Sequence, residues 1–103
     1  MKFIVSTFNP NKMVVNDDFD LEVRKLPEED FLCECIDAYS CVGYHDVADM
    51  LNVAYNKEPV KARIGDVILL ADMNKGNLEY SRIRICPRFP SGADELYADE
   101  EMI

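Results

Sequence analysis

The sequence predicts a single α/β (α+β) domain: a central mixed β-sheet of about five strands flanked by helices, in the order ββααβββ(α). Three observations carry this expectation. Apolar β-branched and aromatic runs occur at 2–8 and 67–71, two stretches at 28–39 and 44–56 carry apolar residues at helical spacing, and a hairpin signal at Asn74-Lys75-Gly76-Asn77 precedes an alternating run. A length of 103 residues suits one domain, and neither an internal repeat nor a shift in composition marks a second.

KFIVSTF at 2–8 reads as a buried first strand that stops at the Asn9-Pro10-Asn11 turn. Phe19-Asp20-Leu21-Glu22-Val23-Arg24 alternates apolar and polar as a half-buried second strand does. Pro27 followed by Glu28, Glu29 and Asp30 starts a helix over about 28–39, because proline suits the first position and acids favour the positive end of the macrodipole. Phe31, Leu32, Cys35, Ile36 and Tyr39 are its expected inner face. After a junction at 40–43, Val47, Met50, Leu51, Ala54 and Tyr55 predict a second helix over about 44–56. Pro59–Arg63 is a strand or the approach to one, Gly65-Asp66 a turn, and Val67–Ala71 a central strand.

The last strand, about 78–86, sets Tyr80, Arg82 and Arg84 on one face and Ser81, Ile83 and Ile85 on the other. Lys75, Arg82, Arg84 and Arg88 meet only Glu79 as a countercharge within 74–88, and the plain reading is an edge strand protected by charge. Pro87 and Pro90 bracket a loop, and 93–103 is expected to be an acidic carboxy-terminal helix or tail.

Twenty acids against 11 Lys+Arg give a net charge of −9, which argues against duplex nucleic acid as a partner but leaves room for a small anion held by local cations. MKFIVSTF is too short and too polar at its end for a signal-peptide core or a membrane span, so a cytoplasmic location away from membranes is expected. A reducing compartment makes Cys33, Cys35, Cys41 and Cys86 free thiols. The Cys33-Glu34-Cys35 spacing lacks the two-residue gap of a zinc knuckle, and helical positions 33 and 35 point to different faces, so no metal or other cofactor is expected.

No dinucleotide fingerprint, phosphate loop, nucleophile elbow or paired-histidine motif is present. His45 is the single histidine, next to Tyr44 at an expected helix amino terminus. There an imidazole can serve as a base near neutral pH, or cap the helix, and free backbone N–H groups suit a phosphate.

Five short blocks then share an order with a known family: Ser6-Thr7-Phe8-Asn9-Pro10-Asn11, Val42-Gly43-Tyr44-His45 with Ala48 and Leu51, Pro59-Val60 with Arg63, Gly65-Asp66, and Arg88-Phe89-Pro90-Ser91-Gly92. The chain resembles the small viral ring nucleases, anti-CRISPR proteins of archaeal viruses and bacteriophages that degrade cyclic tetra-adenylate. The resemblance implies a homodimer or higher homo-oligomer with the ligand across the interface. It also implies ligand contacts from Asn9, Asn11, Tyr44, His45, Arg63, Arg88 and Ser91.

The departures fall where the family does its chemistry. Its Ile-Gly-His is Val42-Gly43-Tyr44 here, with the histidine displaced to His45, and its Arg-Leu-Pro-Glu-Gly is Arg88-Phe89-Pro90-Ser91-Gly92, without the acid. One residue turns a helical side chain by about 100°. Loss of each acid–base group costs about 10²- to 10⁴-fold in rate. The resemblance therefore implies a phage anti-defence protein that binds a cyclic oligonucleotide or cyclic ADP-ribose type signal of CBASS, Thoeris or type III CRISPR defence, and sequesters it without a catalytic residue. One alternative is a metal-independent ring nuclease using His45 with Tyr44. Another is an acidic inhibitor or nucleic-acid mimic presenting the carboxylates of 17–30 and 94–101 to a basic protein.

Overall fold

The computed structural model describes residues 1–88. The expected helix or tail at 93–103, and Ser91 with it, lie outside the described residues. Five strands form one mixed sheet in the order β2-β5-β4-β1-β3. The strands are β1 (Lys2–Val5), β2 (Phe19–Leu26), β3 (Tyr39–Ser40), β4 (Val67–Asn74) and β5 (Asn77–Pro87), and the helices are α1 (Pro10–Met13), α2 (Glu28–Glu34) and α3 (His45–Leu51). β1 runs parallel to both β3 and β4, while β5 is antiparallel to β4 and β2.

Apolar residues cover both faces of this sheet. Ile4, Val67, Leu69 and Ala71 meet Phe31 of α2 and Val47, Ala48 and Leu51 of α3 on one side. Phe3, Val5, Ile68, Ile83 and Ile85 meet Val14, Val60 and Ala62 on the other. Such two-sided burial explains why the central strands are apolar without alternation. Phe31 is completely buried, its ring 4.7 Å from that of Tyr80. No helix among the described residues is long and apolar enough to cross a membrane.

Several boundaries differ from the sequence expectation. Asn9-Pro10-Asn11 is not a plain turn but the start of α1: the Asn9 side chain accepts from the Asn11 N–H, and Pro10 takes the first helical position. The first long helix stops at Glu34 and tightens into a 3-10 turn at Cys35–Asp37. Residues 39 and 40, expected to lie at its end and in the junction, instead form β3 beside β1. Leu32, Ile36 and Tyr39 are accordingly exposed, and the inner face reduces to Phe31 and Cys35.

The second helix ends at Leu51 rather than 56, because Asn52 adopts the left-handed conformation, φ 57° and ψ 46°, and the Val53 N–H turns back to the Ala48 carbonyl. Met50, Ala54 and Tyr55 are therefore not core residues, and Ala48 and Val53 pack there instead. Residues 59–63 form no strand; a single bridge joins Ala62 to Val14, and Val60 and Ala62 plug the second core layer.

β5 is an interior strand between β2 and β4, not a charge-protected edge. Its arginines are tolerated because acids meet them: Arg82 Nε lies 3.5 Å from Glu34, and Arg84 Nε lies 3.1 Å from Glu22. The predicted division of faces holds, with Ser81, Ile83 and Ile85 buried. The hairpin into β5 turns on Lys75 and Gly76, both at positive φ (52° and 85°), the geometry of the tight turn that suits twisted strands.

Candidate functional site

In a sheet with parallel strands, chain connections leave a crevice beyond the carboxyl ends where neighbouring connections depart in opposite directions. β1 occupies that position, flanked by β3 on one side and β4 on the other. Beyond the ends of β1 and β3 opens a cavity of about 610 Å³, within the size range of small-molecule sites. Ser6 and Thr7 continue β1 into it, Lys12 and Met13 arrive on α1, and Gly43, Tyr44 and His45 follow β3; Tyr55–Val60 closes the far wall.

Local hydrogen bonds hold this wall. The Asn56 side-chain amide donates to the Ser40 carbonyl at 3.0 Å, its N–H donates to the Val42 carbonyl at 2.9 Å, and its Oδ1 accepts from the Glu58 N–H at 3.1 Å. The Tyr39 hydroxyl donates to Glu58 at 2.8 Å, a bond that raises its pKa. Glu58 is thus already engaged. Tyr44 is 59% exposed and carries no side-chain capping bond, although it occupies the N-cap of α3. His45 stacks on Tyr55 with ring centroids 3.6 Å apart and planes 14° apart. A second cavity of about 300 Å³ shares Ser6, Thr7 and Tyr44 and continues to Asp46, Val47, Asp72 and Met73, so the Tyr44 ring borders both.

The cavity offers an aromatic face, two hydroxyls and the two ammonium groups of Lys12 and Lys57, chemistry suited to a base stacked on a ring with a phosphate beside it. Burial pushes the Cys41 thiol upward, making it a poor nucleophile. Cys35, outside the cavity, is raised to about 11 by burial. Among the described residues, no cluster of His, Cys, Asp and Glu has the arrangement of a metal site.

Only part of the expected set meets here. Tyr44 and His45 line the cavity; Asn9 and Asn11 do not, but Asn9 caps the short helix that delivers Lys12. Arg63 lies at the opposite end of the parallel strands, where its N–H donates to Asp66 in the turn before β4. Arg88 follows β5 at that same end and is held by Asp18, Asp20 and the Phe19 carbonyl. Neither arginine lines the crevice. Sequence reasoning missed Lys12, Lys57, Tyr55 and Thr7. Tyr55 was hidden because its spacing read as helix core, and Lys57 because it lies in an irregular segment.

No protein-family model matches the chain, and no curated protein matches it. Among solved structures, B116 of Sulfolobus turreted icosahedral virus (STIV) shares the fold with a TM-score of 0.71, at 18% identity, covering 81% of this chain and 97% of that one. The chain thus shares its fold with this archaeal-virus protein, and that fold is here an α+β architecture with a mixed five-stranded sheet.

Proposed function

We propose that the protein binds and sequesters a cyclic nucleotide immune signal, of cyclic oligonucleotide or cyclic ADP-ribose type, and acts as an anti-defence protein of a virus in the cytoplasm of its host cell. The observation that carries this reading is the crevice beyond β1 and β3, where exposed Tyr44 stands with Lys12 and Lys57. The viral origin of B116, which shares the fold, and the resemblance of the sequence blocks to ring nucleases support the same direction. Sequestration is favoured over cleavage because the only histidine is stacked face to face on Tyr55, and Tyr44 stands where the family places its histidine. Tyr44 stacks on a base, Lys12 and Lys57 neutralise phosphate, and Thr7 supplies a hydroxyl.

Native mass spectrometry of the protein, mixed with cyclic di-, tri-, tetra- and hexanucleotides and cyclic ADP-ribose isomers, tests the reading. One ligand should bind and be released intact on heating, and Tyr44→Ala should weaken it about tenfold or more, as loss of one base–aromatic stack does. Linear products that vanish in His45→Ala would replace sequestration with ring opening. No bound species across the panel would remove the nucleotide reading altogether.

A further inference from the structure

We infer that the smaller cavity, lined by Asp46 and Asp72, is a base pocket that selects guanine, so that the sequestered signal carries a guanine nucleotide; this assignment rests on the nucleotide binding proposed above. The two cavities differ in charge. The larger one is lined by Lys12 and Lys57, whereas the one of about 300 Å³ is lined by two carboxylates and, among the described residues, by no Lys or Arg. Tyr44 stands in the wall of both. A ligand that spans this ring presents phosphate on one side and hydrogen-bond donors on the other.

A buried hydroxyl marks the acidic side independently of its charge. Ser6 is only 7% exposed, and its side chain makes no hydrogen bond among the described residues. Side chains alternate along a strand, so Ser6, two residues after Ile4, points to the sheet face on which α3 packs. Val47 of α3 and Met73, two residues after Ala71 on β4, place the cavity on that same face. Buried polar groups in folded proteins are paired, so an unpaired hydroxyl in a cavity wall is a position for a polar ligand atom. The carboxylates are equally unengaged. Neither makes an ion pair among the described residues, and Asp72 has another acid, Glu79, opposite it across β4 and β5. The sequence at 89–103 contains no Lys, Arg or His, so it holds no countercharge for them either.

Among the nucleobases, this wall fits guanine. Ionised carboxylates only accept, and the Watson–Crick edge of guanine sets two donors side by side, N1–H and the 2-amino group, which one carboxylate can take together. O6 beside them accepts from the Ser6 hydroxyl. Adenine offers one amino donor next to an unprotonated N1, whose lone pair a carboxylate repels. Cytosine and uracil likewise place an acceptor next to their donor. Val47 and Met73 give the base its apolar surroundings.

Chemical-shift titrations of the full chain with GMP, AMP and IMP, in EDTA to keep divalent cations off the carboxylates, test the inference. A mononucleotide fills one base and one phosphate position whatever ring the natural signal has. GMP should bind about tenfold or more tighter than AMP, with IMP, which lacks the 2-amino group, between them. Calorimetry with cyclic di-GMP and cyclic di-AMP should give the same order. Asp46→Asn with Asp72→Asn should bring the GMP and AMP affinities to within about threefold of each other, and Ser6→Ala should narrow the gap. Lys57→Ala should weaken both nucleotides alike. The ratio is the readout because removing an acid also changes the attraction for any anion. The spectra report whether each variant is folded, and the parent's own ratio stands where one is not. Equal binding of GMP and AMP, or a ratio unchanged in the double variant, would overturn the guanine pocket and leave sequestration standing. Binding of no nucleotide, cyclic or linear, would remove the nucleotide reading and the pocket with it.

Discussion

Tyr44 occupies the N-cap of α3, a position where a short side chain normally accepts a backbone N–H, yet its phenol makes no such bond. Its ring stands exposed at the border of two cavities instead. A residue that forgoes local stability at a cavity wall is expected where activity and stability trade against each other. Tyr44→Ser should therefore stabilise the fold by about 0.5–1 kcal/mol through capping, while weakening nucleotide binding about tenfold. Urea denaturation and a binding titration on the same preparation check both halves. A variant that gains stability and keeps its affinity would show that the ring has no part in binding.

At the scale of elements, α3 ends where it does because Asn52 accepts a left-handed backbone at φ 57°. Asparagine enters that region more easily than other residues with a β-carbon, and glycine enters it freely. Asn52→Ala should cost about 1 kcal/mol and Asn52→Gly should be neutral or slightly stabilising, read from urea midpoints. The early stop has a consequence for the site. It releases Val53–Asn56 from helical geometry, so that Tyr55 swings under His45 and the Asn56 N–H reaches Val42. A helix continued to 56, as the apolar spacing suggests, could not build that wall.

At the scale of the molecule, Lys2 ties β1 to the end of α2, its ammonium 2.7 Å from Glu34 and 3.0 Å from Asp37. Hydrogen bonding to Lys2 holds the Glu34 carboxyl below its usual value of 4.5, and the bond to Glu34 raises Lys2 above its usual 10.5. The depressed acid contributes stability that is present above pH 4.5 and lost as pH falls through its folded value. The raised amine contributes stability that is present below pH 10.5 and lost as pH rises through its folded value. In urea titrations from pH 7 to pH 3, Glu34→Gln should start less stable than the parent, and the gap should narrow below about pH 4.5. A gap of constant size would show that the carboxylate charge at position 34 is not coupled to folding.

The chain by itself determined the α+β class, the apolar central strands, the division of faces in β5 and the place of Tyr44 and His45 together at the start of a helix, because periodicity and turn chemistry are local. Helix ends escaped it where a competing contact prevailed: residues 39 and 40 satisfy their backbone groups better beside β1 than in another helical turn. The interior placement of β5 was equally out of reach, since the acids that neutralise its arginines come from α2 and β2, far away in sequence. Only the tertiary structure brought Lys12, Tyr55 and Lys57 to the crevice and sent Arg63 and Arg88 to the opposite end of the sheet. Which end of a strand a loop occupies depends on strand order and direction, and both are set by packing between distant segments rather than by neighbours in the chain.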